Sequence, residues 1–198
     1  MKIIFRKYTQ GMVAGLLAIF TLFGGMQMLA TAAIAAEQPL AQEKNPPGDI
    51  PDTQVFVVYH SPLGYSLDVP EGWARSDRID GARFSDKYNA VDIMVTSATA
   101  APTTSSVKNH EAAGLIAAGR AVKIVAVKNV KLQSGSAILM VYSSNSEPNP
   151  VTNKQLRLEN DRYLIYRRGK LASINLSAPL GADNVDQWKL ISNSFRWR

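Results

Sequence analysis

The only imidazoles in this chain of 198 residues are His60 and His110. His60 ends a predicted strand just before Ser61-Pro62, a position that favours a rim residue over a general base. His110 stands beside Glu111 early in a predicted helix, which is typical of an exposed polar pair. Two histidines in these contexts offer little for acid–base chemistry or for a histidine metal site.

Known catalytic motifs are absent from the sequence. It contains no cysteine, which excludes a disulfide scaffold, a thiolate metal site and a cysteine nucleophile. It also contains no Gly-x-Ser-x-Gly elbow, no His-Glu-x-x-His, no P-loop and no Gly-x-Gly-x-x-Gly. We therefore predict a non-enzymatic protein. A hydrolase that uses His60 with a nearby serine stays open, because Ser/His/Asp triads assemble across a fold.

Three aspartates in one short stretch could bind a hard cation. Asp77, Asp80 and Asp86 supply carboxylate oxygens of the kind that calcium prefers, and manganese is the other candidate metal. Their spacing is not that of an EF-hand loop. Four cations are interleaved with them: Arg75, Arg78, Arg83 and Lys87. Because these cations would neutralise the carboxylates, a salt-bridged surface loop is the competing interpretation.

A basic group flanks a predicted hairpin turn and consists of Arg162, Arg167, Arg168 and Lys170. Because side chains alternate along a strand, Arg162 and Tyr166 should face one side of the sheet. Tyr163 and Arg167 should face the other, which breaks up an aromatic and basic platform for nucleic acid. A charged hairpin can dock on an acidic protein or on anionic headgroups, or it can protect a sheet edge. We predict that this group binds a partner.

The N-terminus has the pattern of an export signal. Residues 1–10 contain three basic residues and no acid, and residues 11–35 carry no charge. A basic start, an apolar run and small residues before a polar stretch are typical of a secretory signal peptide, with Ala33-Ile34-Ala35 as the cleavage site. An uncleaved anchor is the alternative, since the run is long enough to span a bilayer. We expect an exported protein of the periplasm or extracellular face, or of the thylakoid lumen in a photosynthetic host.

The charge of the chain is unevenly distributed. The formal net charge is +6, and removal of the predicted leader lowers it to +3, so the basic pI argues only weakly for nucleic-acid binding. Residues 37–92 contain ten acids and five bases, whereas residues 108–170 contain eleven bases and four acids. Such a dipole can orient a protein against an anionic partner, although chance segregation on a solvated surface gives the same pattern.

The remaining sequence predicts a linker followed by one domain. Residues 36–54 are polar and contain four prolines, which is typical of a flexible linker. The domain then runs from about Val55 to Arg198. Strands are predicted at 55–60, 65–69, 82–84, 90–97, 122–132, 137–142, 156–168 (with a break at 160–161), 171–178 and 195–197. Helices are predicted at 106–121 and from an N-cap at Asp183. This order indicates an α+β domain with helices packed on an antiparallel sheet.

Three segments resemble the PsbP family. Residues 64–70 followed by Trp73 resemble its opening strand, which runs into Pro-x-x-Trp. Residues 84–93 are similar to the next segment, with Phe-x-Asp and then Asn-x-x-Val, which makes Asp86 the strongest single ligand candidate. Residues 170–195 are similar to the closing hairpin, helix and Ser-Phe strand. The resemblance covers about residues 55–197.

The resemblance implies an α/β/α sandwich, which PsbP shares with Mog1-like proteins and with many bacterial secreted domains. PsbP-family members in cyanobacteria and plants are lumenal, non-catalytic subunits that support the oxygen-evolving side of photosystem II, and several interact with calcium, manganese or zinc. This chain lacks the lipid-bearing Cys of many cyanobacterial members, which puts permanent membrane attachment in doubt. Its leader is also bacterial in style, which argues against a plant precursor.

These observations lead to two expectations from different classes. The first is an exported, non-enzymatic accessory or assembly protein that binds a membrane protein complex, photosystem II in a photosynthetic host. It requires no cofactor and binds no nucleic acid, and it allows peripheral membrane association. The second is an extracytoplasmic carrier of a small ligand or divalent metal, using the sheet face and Asp77, Asp80 or Asp86. The aromatics Trp73, Trp188, Phe195 and Trp197 are predicted to pack in the core.

Overall fold

The computed structural model describes residues 37–198, so the predicted signal peptide, residues 1–35, lies outside the described residues. The strands are β1 (Phe56–Ser61), β2 (Tyr65–Pro70), β3 (Ala74–Arg78), β4 (Gly81–Asp86), β5 (Asn89–Ser97), β6 (Lys123–Leu132), β7 (Gly135–Asn145), β8 (Arg157–Arg167), β9 (Lys170–Pro179) and β10 (Arg196–Trp197). The helical segments are α1 (Thr104–Val107), a π-helical turn (Lys108–Ala112), α2 (Ala113–Ala117) and α3 (Val185–Ser194). Within residues 37–198, no helix has the length and apolar character needed to cross a membrane.

Two antiparallel sheets form the framework. The large sheet has seven strands in the order β3-β4-β5-β9-β8-β7-β6, and the small sheet has the order β1-β2-β10. All strand pairs in both sheets are antiparallel. The predicted α+β class, with helices on an antiparallel sheet, is therefore confirmed.

Side-chain alternation divides the apolar residues of the large sheet between two clusters. On β8, Tyr163 and Ile165 belong to the main core, while Leu164 packs into a second cluster beside α1. The main core also contains residues of β2 and α3, so the small sheet and α3 cover that face. The four predicted core aromatics are confirmed, since two are buried and two pack against the core: Trp188 and Phe195, then Trp73 and Trp197.

The structure differs from the predicted elements at several places. The N-cap of α3 is Asn184 rather than the predicted Asp183, since the N–H of Trp188 donates to the carbonyl of Asn184. The helix predicted at 106–121 begins at Thr104, contains the π-helical turn and ends at Ala117, before the left-handed backbone of residues 119–121.

β3 was not predicted, because every residue of its sequence ARSDR is exposed and no apolar alternation marks it. It is an edge strand that pairs with β4. The break predicted at 160–161 is absent, and β8 continues through it because the amide of Asn160 is buried and hydrogen-bonded to Ser144.

The predicted flexible linker lies against the domain from residue 37 onward. We call residues 37–54 the N-terminal strap. Ile50 is 4% exposed and belongs to the main core. The carbonyl of Gly48 accepts a hydrogen bond of 2.8 Å from Nδ2 of Asn89. Gly48 has φ +105°, and a Cβ there would lie 2.9 Å from Cδ of Pro179, so only glycine suits this close approach. A strap without regular structure is thus held by side chains far away in the sequence.

The start of the strap is held at the end of β7. Oδ1 of Asn145 accepts from the backbone N–H of Leu40 at 3.1 Å, and Nδ2 of Asn145 donates to Oε1 of Glu37 at 2.8 Å. Gln155 donates to the same Glu37 oxygen at 2.8 Å. The hydrogen bond from Asn145 holds the pKa of Glu37 below its usual value. The strap is therefore attached to the domain near both of its ends.

Candidate functional site

A groove of about 830 Å³ opens on the face of the large sheet that carries the second apolar cluster. Its floor consists of residues of β7, β8 and β9 that are polar except for Leu158, namely Tyr142, Ser144, Leu158, Asn160, Asn175 and Ser177. One wall is the β4–β5 hairpin, and the other is formed by the end of α2 and by the loop after β7. Glu43 and Pro47 of the strap complete the lining. We call this feature the polar groove.

The floor of the polar groove is a chain of hydrogen bonds between neighbouring strands. The hydroxyl of Tyr142 donates to Oδ1 of Asn175 at 2.8 Å, and Nδ2 of Asn175 donates to Oδ1 of Asn160 at 3.2 Å. Nδ2 of Asn160 in turn donates to Oγ of Ser144 at 3.1 Å. Register brings these groups together, because Asn160 pairs with Tyr142 on one side and with Ser177 on the other. The network fixes the orientation of each amide.

Arg162 extends this network at the edge of the floor. Its Nη2 donates to the hydroxyl of Tyr142 at 3.3 Å, and its Nε donates to Oδ1 of Asn175 at 3.4 Å. The guanidinium carbon also lies 5.7 Å from the centre of the Tyr142 ring. Burial raises the pKa of Tyr142, and the positive charge of Arg162 opposes that rise. Arg162 is half-buried and forms no ion pair within residues 37–198.

Positive charge exceeds negative charge among the residues that line the groove. The four cations are Arg83, Lys87, Arg120 and Lys154, and the two carboxylates are Glu43 and Glu147. Arg120 is ion-paired with Glu147, and Arg83 pairs at 3.0 Å with Asp92 of the neighbouring strand. Within the described part of the chain, Lys87 and Lys154 form no ion pair.

A second basic feature lies at one end of the domain, where three chain segments meet. We call it the basic end and define it as Arg167, Arg168, Lys170 and Arg198, all exposed. Arg167 donates from Nη1 to the carbonyl of Trp197 at 3.0 Å, and Nζ of Lys170 donates to the carbonyl of Leu63 at 3.3 Å. The backbone N–H of Arg198 donates to the carbonyl of Gly64 at 2.9 Å. These bonds join the β8–β9 turn, the β1–β2 turn and the C-terminus.

The structure divides the basic group that the sequence predicted to bind a partner. It keeps Arg167, Arg168 and Lys170 together at the β8–β9 turn. Arg162 points to the other face of the sheet and joins the groove network, as strand alternation predicts. Arg198 takes its place at the basic end, a contribution that the sequence could not indicate because it depends on the pairing of β10 with β2.

The three aspartates predicted as metal ligands are not gathered at one place. Asp77 pairs with Arg75 at 2.8 Å, and Asp80 lies 3.6 Å from Nε of Arg78. Asp86 is exposed at the opposite end of β4. Across residues 37–198, His, Asp and Glu side chains form no group of three or more that could hold a metal ion. Metal binding at these positions stays a prediction.

The two histidines lie apart. His60 is exposed near the basic end, with its Nε2 3.4 Å from Nη2 of Arg198. His110 lies in the π-helical turn. In residues 37–198, no serine hydroxyl is hydrogen-bonded to either ring.

Comparison with known proteins identifies the type of fold. No family model and no curated protein sequence matches the chain. The solution structure of cyanobacterial PsbP (CyanoP) from Synechocystis is similar with a TM-score of 0.53 and 15% identity, over 78% of this chain and 100% of that chain.

Two further solved structures show weaker similarity. The Ran-binding protein Mog1p of Saccharomyces cerevisiae has a TM-score of 0.48 and 8% identity, over 72% of this chain and 95% of its own. LpqN of Mycobacterium tuberculosis, described as involved in cell envelope biogenesis, has a TM-score of 0.46 and 14% identity, over 73% of this chain and 91% of its own. The similarity to the cyanobacterial protein, which extends over its whole length, confirms what residues 64–73, 84–93 and 170–195 indicated: this chain has the PsbP-like fold.

Proposed function

We propose that this chain is a non-enzymatic accessory or assembly subunit that acts outside the cytoplasm and docks on a membrane protein complex. The PsbP-like fold supports this class, and in a photosynthetic host we propose photosystem II as the complex. The observation that carries the proposal is the basic end. It collects four exposed cations from two segments of the chain, the β8–β9 turn and the C-terminus, and within residues 37–198 none of them is in an ion pair.

Clustered cations without counter-charges favour an acidic partner. Like charges held close together repel each other in the free protein, and an acidic surface relieves this repulsion when it binds. Arg167 and Lys170 are also oriented by hydrogen bonds to backbone carbonyls, which reduces the entropy that they lose on docking. Since the charges are exposed, their attraction is screened by salt within about 10 Å at 0.1 M ionic strength.

The test is capture of a complex by the tagged full chain from detergent-solubilised membranes of the source organism. Retained proteins are identified by mass spectrometry at low and at moderate salt. We expect a membrane complex that binds at low salt and is released as the salt concentration rises. The triple variant Arg167→Gln, Arg168→Gln, Lys170→Gln should lose it with little change in the unfolding midpoint, because the three side chains and the hydrogen bonds that Arg167 and Lys170 make are exposed.

A matched variant controls for loss of net charge. Lys108→Gln, Lys123→Gln and Lys131→Gln remove the same number of charges from exposed positions on the π-helical turn and β6. This control should retain the complex. Equal retention by the β8–β9 turn variant would show that the basic end is not the docking surface.

A further inference from the structure

We propose that the polar groove binds a phosphorylated sugar, or a small anion of the same kind that carries several hydroxyl groups. This site is separate from the basic end and does not depend on the proposed docking. Its volume of about 830 Å³ lies within the range of small-molecule sites, roughly 300–1,000 Å³. The space can hold a hexose phosphate together with ordered water.

The composition of the floor points to a ligand with hydroxyl groups. Beside α1, the same face of the sheet is apolar and carries Ile138, Met140 and Leu164. At the groove, most inward positions of β7, β8 and β9 are amides and hydroxyls, with Leu158 as the apolar exception, although the floor is so deep that Asn160 is only 3% exposed. Buried polar side chains at such positions are costly unless they are hydrogen-bonded. Here Tyr142, Ser144, Asn160 and Asn175 are bonded to one another and are held in fixed orientations.

The fixed network leaves hydrogen-bonding capacity for a ligand. Ser144 accepts a hydrogen bond from Asn160, and its own hydroxyl proton has no acceptor among the described residues. Each amide nitrogen carries two protons, and Asn160 and Asn175 each use one of them within the network. Sugar hydroxyls both donate and accept, so they complement a floor that offers both kinds of group. Because the floor is already ordered, a ligand loses little affinity to side-chain ordering.

The walls of the groove supply charge for a phosphate group. Lys87 on one wall and Lys154 on the other are exposed and have no ion-pair partner in the described chain. Charge-assisted hydrogen bonds to phosphate oxygens are stronger than neutral ones. Arg162, which adjoins the floor without a counter-ion, adds to the positive potential. A neutral sugar would leave this excess positive charge uncompensated.

Calorimetric titration of the full chain with glucose 1-phosphate tests the proposal. Inorganic phosphate and glucose serve as the two half-ligands. We expect glucose 1-phosphate to bind at least about tenfold more tightly than either half-ligand, because it alone engages both the floor and the walls. Absence of binding up to about 10 mM would overturn the proposal. Equal affinity for inorganic phosphate would overturn it as well, since the floor would then contribute nothing.

Two variants separate the groove from general charge effects. Lys87→Gln with Lys154→Gln should weaken glucose 1-phosphate binding about tenfold or more. Lys123→Gln with Lys131→Gln removes the same charge from β6, outside the groove, and should leave the affinity unchanged. An equal loss in both variants would contradict the site. Ser144→Ala tests the floor, and because Ser144 is half-buried, its unfolding midpoint is measured beside the affinity.

The same chemistry occurs in free sugar phosphates and in the inositol phosphate headgroup of phosphatidylinositol. Sedimentation with vesicles of phosphatidylcholine that contain phosphatidylinositol distinguishes these sources. Sedimentation that glucose 1-phosphate competes away, and that the Lys87 and Lys154 variant loses, assigns the groove to a lipid headgroup. Calorimetric binding without sedimentation assigns it to a soluble sugar phosphate.

Discussion

The backbone N–H of Ile50 donates a hydrogen bond of 2.6 Å to Oδ1 of Asn184, although the two residues are 134 positions apart. Nδ2 of the same asparagine donates to the carbonyl of Gly48 at 3.0 Å. Asn184 precedes α3 as its N-cap, yet its side chain makes no capping hydrogen bond to the helix. The amide that would cap α3 thus holds the N-terminal strap, which explains why a proline-rich segment lies on the domain.

The strap should contribute measurably to the stability of the domain. Ile50→Ala removes a side chain that is 4% exposed, and we expect it to lower the free energy of unfolding by about 2–4 kcal/mol. Ile79→Ala is the matched control, because Ile79 is 96% exposed and should change stability by less than about 0.5 kcal/mol. Urea unfolding of the full chain measures both. Equal midpoints for the two variants would show that the strap does not pack in the core.

The Asn184 amide should control release of the strap. Asn184→Ala leaves the buried N–H of Ile50 without its acceptor, and we expect a loss of about 1–3 kcal/mol. We also expect faster trypsin cleavage after Lys44, which lies exposed within the strap. Asn193→Ala, in the last turn of the same helix, is the control for asparagine removal. Unchanged cleavage after Lys44 in Asn184→Ala would mean that the strap is held elsewhere.

A partly buried carboxyl on β8 should make stability depend on pH. Burial raises the pKa of Asp161 above its usual value. The folded state therefore favours the protonated carboxyl of Asp161 over its carboxylate. The stability that this preference contributes is fully present below the ordinary aspartate pKa of about 3.9, and it is lost as the pH rises through the raised pKa of Asp161. Asp161→Asn, which stays neutral, should therefore raise the urea midpoint at pH 7 and change it little at pH 3. A variant that is less stable at pH 7 would contradict this assignment.

Calcium and manganese remain candidates at Asp77, Asp80 and Asp86. Because arginines pair with two of these carboxylates, we expect affinities no tighter than about 1 mM. Calorimetric titration and the melting temperature, each with CaCl2 and MnCl2, measure the binding. Asp86→Asn should reduce any heat of binding, and Asp186→Asn at the start of α3 should not. If neither a heat of binding nor a shift in melting temperature is observed, calcium and manganese do not bind at these aspartates.

Local pattern was sufficient to predict most of the fold. The alternation at Val91, Ile93 and Val95 predicted β5, and all three side chains are buried or packed against the core. Pattern failed at β3, where an edge strand buries nothing and carries charged side chains on both faces. Pattern also failed at residues 160–161, where two adjacent polar residues predicted a break in the strand. The strand continues because residues of the neighbouring strands form hydrogen bonds with the amide of Asn160.

By itself, the sequence determined the α+β class, most strand positions, the resemblance to PsbP and the basic residues that lie together at the β8–β9 turn. These features depend on side-chain periodicity and on neighbours in the chain. Only the tertiary structure decided that Arg162 leaves the hairpin group for the groove, that Arg198 joins the basic end and that Asn184 holds the strap. Each of these depends on a hydrogen bond or a strand pairing between residues far apart in the sequence, which no local pattern encodes.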